Sequence, residues 1–409
     1  MKEWLRRIRK ENAGFMDIKE LLDLAKPLQQ QLTEWRRDFH RHPETGYEEF
    51  RTAEIVARHL ESLGLEVTRN IGQTGVVGLL KGHAPGPTIG LRADMDALPI
   101  QDQKTSDYCS RIPGKAHLCG HDAHTAMLMG AAQLLSSLGR PKAGNIKFIF
   151  QPAEEGLAGA RAMIEDGVLE NPVVDAMAGL HIYPGLKTGE LGVTKGAAFA
   201  SADALKIKVL GRGGHAARPH EGIDAIAVSA QIITALQNIT SRMVDPLEPA
   251  VITIGKISGG YMGTALAPEV ELTGTVRTLS PEVRKQLPGL IEQVVSGICT
   301  SFGAGYEIEH GEGYPLVIND PAMVDFMTEV SEQLYGTKTW RYLKPSTGGE
   351  DFAFYSGRVP GVFFRLGSDC GEERTQYPLH HPLFDLDEAA MPYGVSMLSA
   401  IAIEFLNRN

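Results

Sequence analysis

Two kinds of hydrophobic periodicity alternate along this chain, and the order in which they change limits its fold more than any other feature. Short apolar runs with strand character (76–80, 88–93, 146–150 and 176–181) alternate with helical patterns at 28–39, 48–63 and 124–138. Such alternation predicts an α/β layer with helices on both faces of a largely parallel sheet. Near residue 200 the pattern changes. Leu205, Ile207 and Val209 alternate with Lys206 and Lys208, the period of a half-buried strand. A helix over 223–239 and strands over 251–257 and 270–276 follow. A helix capped by Ser280, with Pro281 in its first turn, runs to about Cys299, and a strand covers 306–309. The order β-α-β-β-α-β is ferredoxin-like. After Pro315 the first pattern resumes, with a helix over 321–335, a strand over 361–366 and a last helix over 389–406. The expected division is a first domain over 16–197 and 315–409, interrupted by a second over 198–314.

Composition narrows the class. The 409 residues are 43% hydrophobic and 22% charged, which excludes a disordered chain. The formal net charge of −10 makes a general nucleic-acid partner a poor expectation. No apolar run approaches the roughly 20 residues of a membrane span, so no membrane partner is expected. Residues 1–15 carry Lys2, Arg6, Arg7, Arg9 and Lys10 without the apolar stretch of a secretory signal. They read as a basic extension, with Met16 as an alternative start. Four scattered cysteines (Cys109, Cys119, Cys299, Cys370) imply no disulfide framework, and a cytoplasmic location is expected.

Polar residues gather after the expected strands. Asp94 and Asp96 follow one strand, and Glu154 and Glu155 follow another. His181 closes a third. His117, Cys119, His121 and His124 precede a helix, and His380-His381 lies near the C-terminus. In open α/β sheets, sites form beyond the carboxyl ends of strands. Taken singly, each cluster has a plainer reading: a solvated turn, a buried small thiol, a structural histidine. Their coincidence favours a metal site. Imidazole, carboxylate and thiolate together suit zinc, cobalt, nickel or manganese better than magnesium or calcium. Of two adjacent glutamates, one can bind metal while the other acts as general base. A rival reading makes Cys119 the nucleophile of a thiol hydrolase, but it leaves Glu154, Glu155, His181 and His380 unexplained. In the second domain, His215 stands in a glycine-rich turn where it can donate to a developing oxyanion. Arg277, at a strand end, can clamp a carboxylate; an exposed turn and an exposed strand end are the plain alternatives.

The motifs RADMDALPI, HLCGHDAHTAMLMGAA, FQPAEEG, GLHI, GRGGHAARPHEGIDAI, GGEDFAFY and LHHPLF occur in this order. In them the chain resembles the dimetal amidohydrolases that include aminoacylases, hippurate hydrolases and plant auxin-amino-acid hydrolases. The resemblance implies a zinc-peptidase-like catalytic domain with an inserted lid and dimerisation domain, and two divalent metal ions per subunit. By it the ligands are Cys119, His121, Glu155, His181 and His380, and Glu154 is the general base. Asp96 supports a ligand from behind, and Asp94 helps shape the site. His215 polarises the scissile carbonyl. Arg277, Thr264 and the loop bearing Glu350 bound the substrate pocket. Relatives usually carry Asn where Thr264 stands, a departure that bears on substrate preference.

The implied activity is hydrolysis of the amide bond of N-acyl amino acids by water activated between the metals. Cleavage of short peptides in the manner of a carboxypeptidase, or deacetylation of N-acetyl-diaminopimelate, uses the same chemistry. A non-catalytic metal-binding regulator is the alternative from another class. A homodimer or homotetramer is expected.

Overall fold

The computed structural model describes residues 17–409. The basic extension and alternative start expected within residues 1–16 lie outside the described residues. The chain separates into two units. The first runs to Gly196 and resumes over Ile318–Lys344 and Phe354–Asn409; the second holds Ala197–Val317 and Pro345–Ala353.

In the first unit, α1 (Gln29–Arg41) and α2 (Phe50–Ser62) are amphipathic helices burying Leu32 and Phe39, and Val56, Ala57 and Leu60. Strands β1 (Glu66–Ile71), β2 (Gly75–Lys81) and β3 (Ala84–Asp94) follow. Next comes α3 (His121–Leu138), rich in Ala, Leu and Met, good helix formers, and buried on nearly every side. Gly120 at φ 94° and Gly139 at φ 103° bound it, conformations that glycine adopts without a Cβ penalty. Strands β4 (Ala143–Gln151), β5 (Ala176–Lys187) and β6 (Leu191–Val193) complete this part.

The second unit begins with β7 (Ala202–Leu210), α4 (Ala225–Asn238), β8 (Ala250–Gly259) and β9 (Glu269–Thr278). It continues with α5 (Pro281–Phe302) and β10 (Gly305–Tyr314). Its sheet is ordered β8-β9-β7-β10 with every pair antiparallel, the ferredoxin-like arrangement. Leu205, Ile207 and Val209 point inward. On the other face Lys206 pairs with Glu271 and Lys208 with Glu269 across neighbouring strands. Val228, Ile232 and Leu236 of α4, and Val283, Leu287, Ile291, Val295 and Cys299 of α5, are buried at every fourth position. That spacing makes one stripe per helix against the sheet. Ser280 Oγ accepts from the Val283 amide to cap α5, and Gly303 at φ 71° ends it.

The first unit resumes with α6 (Pro321–Tyr335), β11 (Trp340–Tyr342), β12 (Gly361–Asp369) and α7 (Met391–Arg408). The complete sheet is ordered β1-β2-β4-β3-β5-β12-β6-β11. Its four central strands, β4, β3, β5 and β12, run parallel, while β1, β2 and β6 join antiparallel. The sheet is therefore mixed rather than largely parallel. Strand β1 leaves no apolar stripe in the sequence because it is a half-exposed edge with no buried residue.

Two segments stand apart from the expected pattern. Glu388–Arg408 is long and apolar enough to cross a membrane by length and composition, with mean hydropathy 1.5. Most of α7 is nonetheless buried in the core of the first unit, which accounts for its apolar composition. Pro345–Ala353 groups with the second unit because the Ala200 amide donates to the carbonyls of Ser346 and Gly348.

Candidate metal centre

Parallel strands of unequal length open the site. Pairing of β3 with β5 ends at Arg92 opposite Gly179. Strand β5 itself continues to Lys187, so His181 lies inside a strand and not at its end. Asp94 is the last residue of β3, paired with Gln151 at the end of β4; Asp96 follows two residues on, and beyond β4 the chain carries Glu154 and Glu155. Gly120 lets the chain turn into α3 immediately after Cys119. His380 has φ 68°, and its amide donates to the Leu118 carbonyl at 2.8 Å, docking the C-terminal loop beside Cys119.

The side chains converge. Cys119 Sγ lies 3.4 Å from His181 Nε2 and 3.3 Å from His380 Nε2, which is itself 3.3 Å from Glu155 Oε1. Three sets each bring their ligand atoms within 4.8 Å of one another: Cys119, His121 and His181; Cys119, Glu155 and His380; His121, Glu154 and Glu155. A cation with bonds of about 2.0–2.3 Å in tetrahedral geometry spaces its ligands by roughly 3.3–3.8 Å.

Outer hydrogen bonds aim the rings. His121 Nδ1 faces the Asp96 carbonyl at 2.9 Å and Asp96 Oδ1 at 3.2 Å. His181 Nδ1 faces the Ile182 carbonyl at 2.7 Å. Each Nδ1–H donates outward, so each Nε2 presents a lone pair to the cluster. His121 Nε2 and Glu155 Oε1 are buried without a hydrogen-bond partner, as a cation-binding donor set requires. Asp96 also accepts the Glu155 amide through Oδ2 at 2.9 Å, so one carboxylate orients two of these residues.

Not every clustered residue is available. His124 donates Nδ1–H to Asp94 at 2.6 Å and accepts the Ile182 amide at Nε2, so both nitrogens are spent. Asp94 is held by Arg92 at 2.6 Å as well and braces the start of α3. His117 is buried, and burial pushes its pKa down to about 3, keeping it neutral. Burial, with Glu155, Glu154 and Asp94 nearby, holds the Cys119 thiol well above its ordinary pKa. A nucleophilic cysteine needs the opposite shift, so the thiol-hydrolase reading loses support. For His121, burial opposes protonation, but Asp94 and Asp96 raise its pKa to about 10. The same carboxylates would favour a cation at Nε2.

The remaining expected residues belong to the second unit. His215 is exposed on a two-stranded ribbon, paired with Ala265, and the Ala216 amide donates to the Thr264 carbonyl. His215 Nδ1 accepts the Ala217 amide at 3.0 Å, leaving Nε2–H to donate outward. Arg277 donates to the Thr347 carbonyl at 3.0 Å, in the segment that carries the buried Glu350.

Outside the ligand cluster lies a buried charge hub that the ligand-bearing motifs do not include. Arg36 donates to Asp122 at 2.9 Å, to Asp385 at 2.8 Å and to Glu388 at 3.2 Å. His40 Nδ1 meets Asp122 at 2.7 Å, and Tyr108 donates to Asp385 at 2.6 Å. A signal exists in the sequence: Arg36 and His40 continue the inward row of Leu32 at four-residue spacing.

Residues 90–404 match the model of peptidase family M20/M25/M40. Thermostable carboxypeptidase 2 of Saccharolobus solfataricus is 38% identical over 395 residues, covering 96% of this chain and 99% of its own. N-acetylcysteine deacetylase of Bacillus subtilis is 39% identical over 374 residues, covering 91% and 96%. The Bacillus subtilis YXEP protein, a dinuclear metal binding peptidase from the M20 family, superposes with TM-score 0.81 at 36% identity. That match covers 93% of this chain and 99% of the other. Sequence, fold and donor set agree: the chain belongs to peptidase family M20/M25/M40 and is a metal-dependent hydrolase.

Proposed function

We propose that this protein hydrolyses the amide bond of N-acyl amino acids. Cys119, His121, Glu155, His181 and His380 would hold two divalent cations drawn from Mn, Zn, Co and Ni. The observation that carries this reading is the convergence of their lone pairs, with Glu154 in the same cluster. Bound there, the cations supply Lewis-acid polarisation of a carbonyl and acidify water. Glu154 accepts the proton of the attacking water and delivers it to the departing amine nitrogen as the C–N bond breaks. His215 Nε2–H donates to the oxyanion. Arg277 takes the free carboxylate of the amino acid, and Thr264 and the Glu350 loop border the acyl pocket. Cleavage of short peptides is the second reading, favoured by the carboxypeptidase among the relatives.

A homodimer built through the second unit is part of the proposal. It is supported by the edge strand β8 and by Ile226 and Ile257, which are 47% and 54% exposed. Sedimentation at micromolar concentration should show two chains; a monomer there would remove it.

The central test is metal content, combined with turnover of N-acetyl-methionine, N-benzoyl-glycine and a dipeptide, before and after chelation. About two metals per chain, and acyl-amino-acid turnover that chelation abolishes, are expected. Preference for the dipeptide would shift the assignment to the second reading. Glu154→Gln should lower kcat at least about 100-fold with the metals retained. Persistent turnover would remove Glu154 as the base.

A further inference from the structure

The turn that carries Glu154 and Glu155 is backbone-strained and held from outside. Ala153 has φ 54° and ψ 44°, a left-handed conformation that is unfavourable for a residue with a Cβ. Its amide donates to Glu49 Oε1 at 2.8 Å, and its carbonyl accepts the Gly159 amide at 3.0 Å. Two residues on, the Glu155 amide donates to Asp96 Oδ2. The glutamate pair is thus pinned on both sides by carboxylates. Glu49 is fully buried at the start of α2, and its Oε2 accepts the Thr74 hydroxyl at 2.6 Å. Nothing in the ligand cluster needs Glu49, and a carboxyl is costly to bury without a task.

We propose that Glu49 is a positioning residue for amide hydrolysis, holding the Ala153 amide so that Glu154 faces the metal cluster. The inference rests on the reading of Glu154 as general base. Either protonation state of Glu49 serves, because a proton on Oε2 can be donated to Thr74 Oγ1 while Oε1 keeps accepting. Burial raises the Glu49 pKa to about 7, so both forms are present near neutrality. Glutamine reproduces the neutral form in shape and acceptor; alanine removes the acceptor.

The test compares Glu49→Ala, Glu49→Gln and Thr74→Val in the metal-loaded full chain. It reads turnover of N-acetyl-methionine, metal content and hydrogen exchange of the Ala153 amide. Glu49→Ala should lower kcat roughly 10- to 100-fold with KM within about threefold, since small misplacements of a catalytic group cost that much. Its metal content should not change, and its Ala153 amide should exchange faster. Glu49→Gln should keep both kcat and protection. Thr74→Val loses a hydrogen bond but not the Ala153 acceptor, so it should lose stability while kcat stays. Should Glu49→Ala not fold, Glu49→Met fills the space without an acceptor. Unchanged Ala153 exchange in the acceptor-less variant, or a loss of kcat in Glu49→Gln as deep as in Glu49→Ala, would overturn the proposal. A wild type that turns over no N-acyl amino acid defeats the functional reading instead, and the exchange comparison alone then decides on Glu49.

Discussion

His121 and His124 lie three residues apart on one helix, and their hydrogen bonds give them opposite uses. Asp96 and its carbonyl occupy Nδ1 of His121, leaving Nε2 bare; Asp94 and the Ile182 amide occupy both nitrogens of His124. A ligand is made by what the other ring nitrogen does. Glu49 shows the same dependence on surroundings. Its folded pKa of about 7 stands above the ordinary value of 4.5, because burial opposes its charge. An acid shifted upward favours the fold while it stays protonated. Wild-type stability should therefore fall as pH rises from about 4.5 through 7, while Glu49→Gln has no such loss. In chelated protein, urea unfolding should place Glu49→Gln about 1–3 kcal/mol higher relative to wild type at pH 8 than at pH 4.5. A difference equal at both pH values would show that the carboxyl is not held near neutral.

At the scale of elements, Arg36 links helix α1 to two pieces of chain that carry cluster residues. Asp122 follows His121 in the first turn of α3, and Asp385 and Glu388 lie in the stretch after His380. The side chains of Arg36 and Asp122 are fully buried, and that of Asp385 is nearly so. Removing the cation leaves two carboxylates without their partner in a low-dielectric interior. Arg36→Met should cost about 3–5 kcal/mol in denaturant unfolding. Arg36→Lys should recover only part, because an ammonium cannot form the planar fork. A loss below about 1 kcal/mol for Arg36→Met would mean that the carboxylates find other partners.

For the whole molecule, the proposed ligands span positions 119 to 380, and Cys119 and His380 meet across 261 residues of sequence. Cations bound there would tie four stretches of the first unit together. A ligand present at about 100 times its Kd stabilises a fold by about 2.7 kcal/mol. Chelation should therefore lower Tm by several degrees, and zinc or manganese should restore it. Hydrogen exchange at the start of α3 should quicken, while the sheet β7–β10 should not respond, since its core holds none of the proposed ligands. Equal loosening of both units would contradict a site confined to the first.

Periodicity is local, and most helices and strands are legible in the sequence because each needs only its own apolar spacing and caps. The change near residue 200 and the return after Pro315 are legible for the same reason, as are the glutamates that follow a strand and the Cys and His residues that precede a helix. Strand β1 is not, because an edge strand with no buried residue leaves no apolar stripe. The mixed direction of the sheet depends on which strands become neighbours, and no single segment encodes that. The same holds for the spent nitrogens of His124, the Arg36 hub, the bond from Ala153 to Glu49 and the grouping of Pro345–Ala353 with the second unit. Residue types and their spacing come with the chain. Which lone pair stays free is settled by hydrogen bonds between distant segments, and those exist only once the segments have packed.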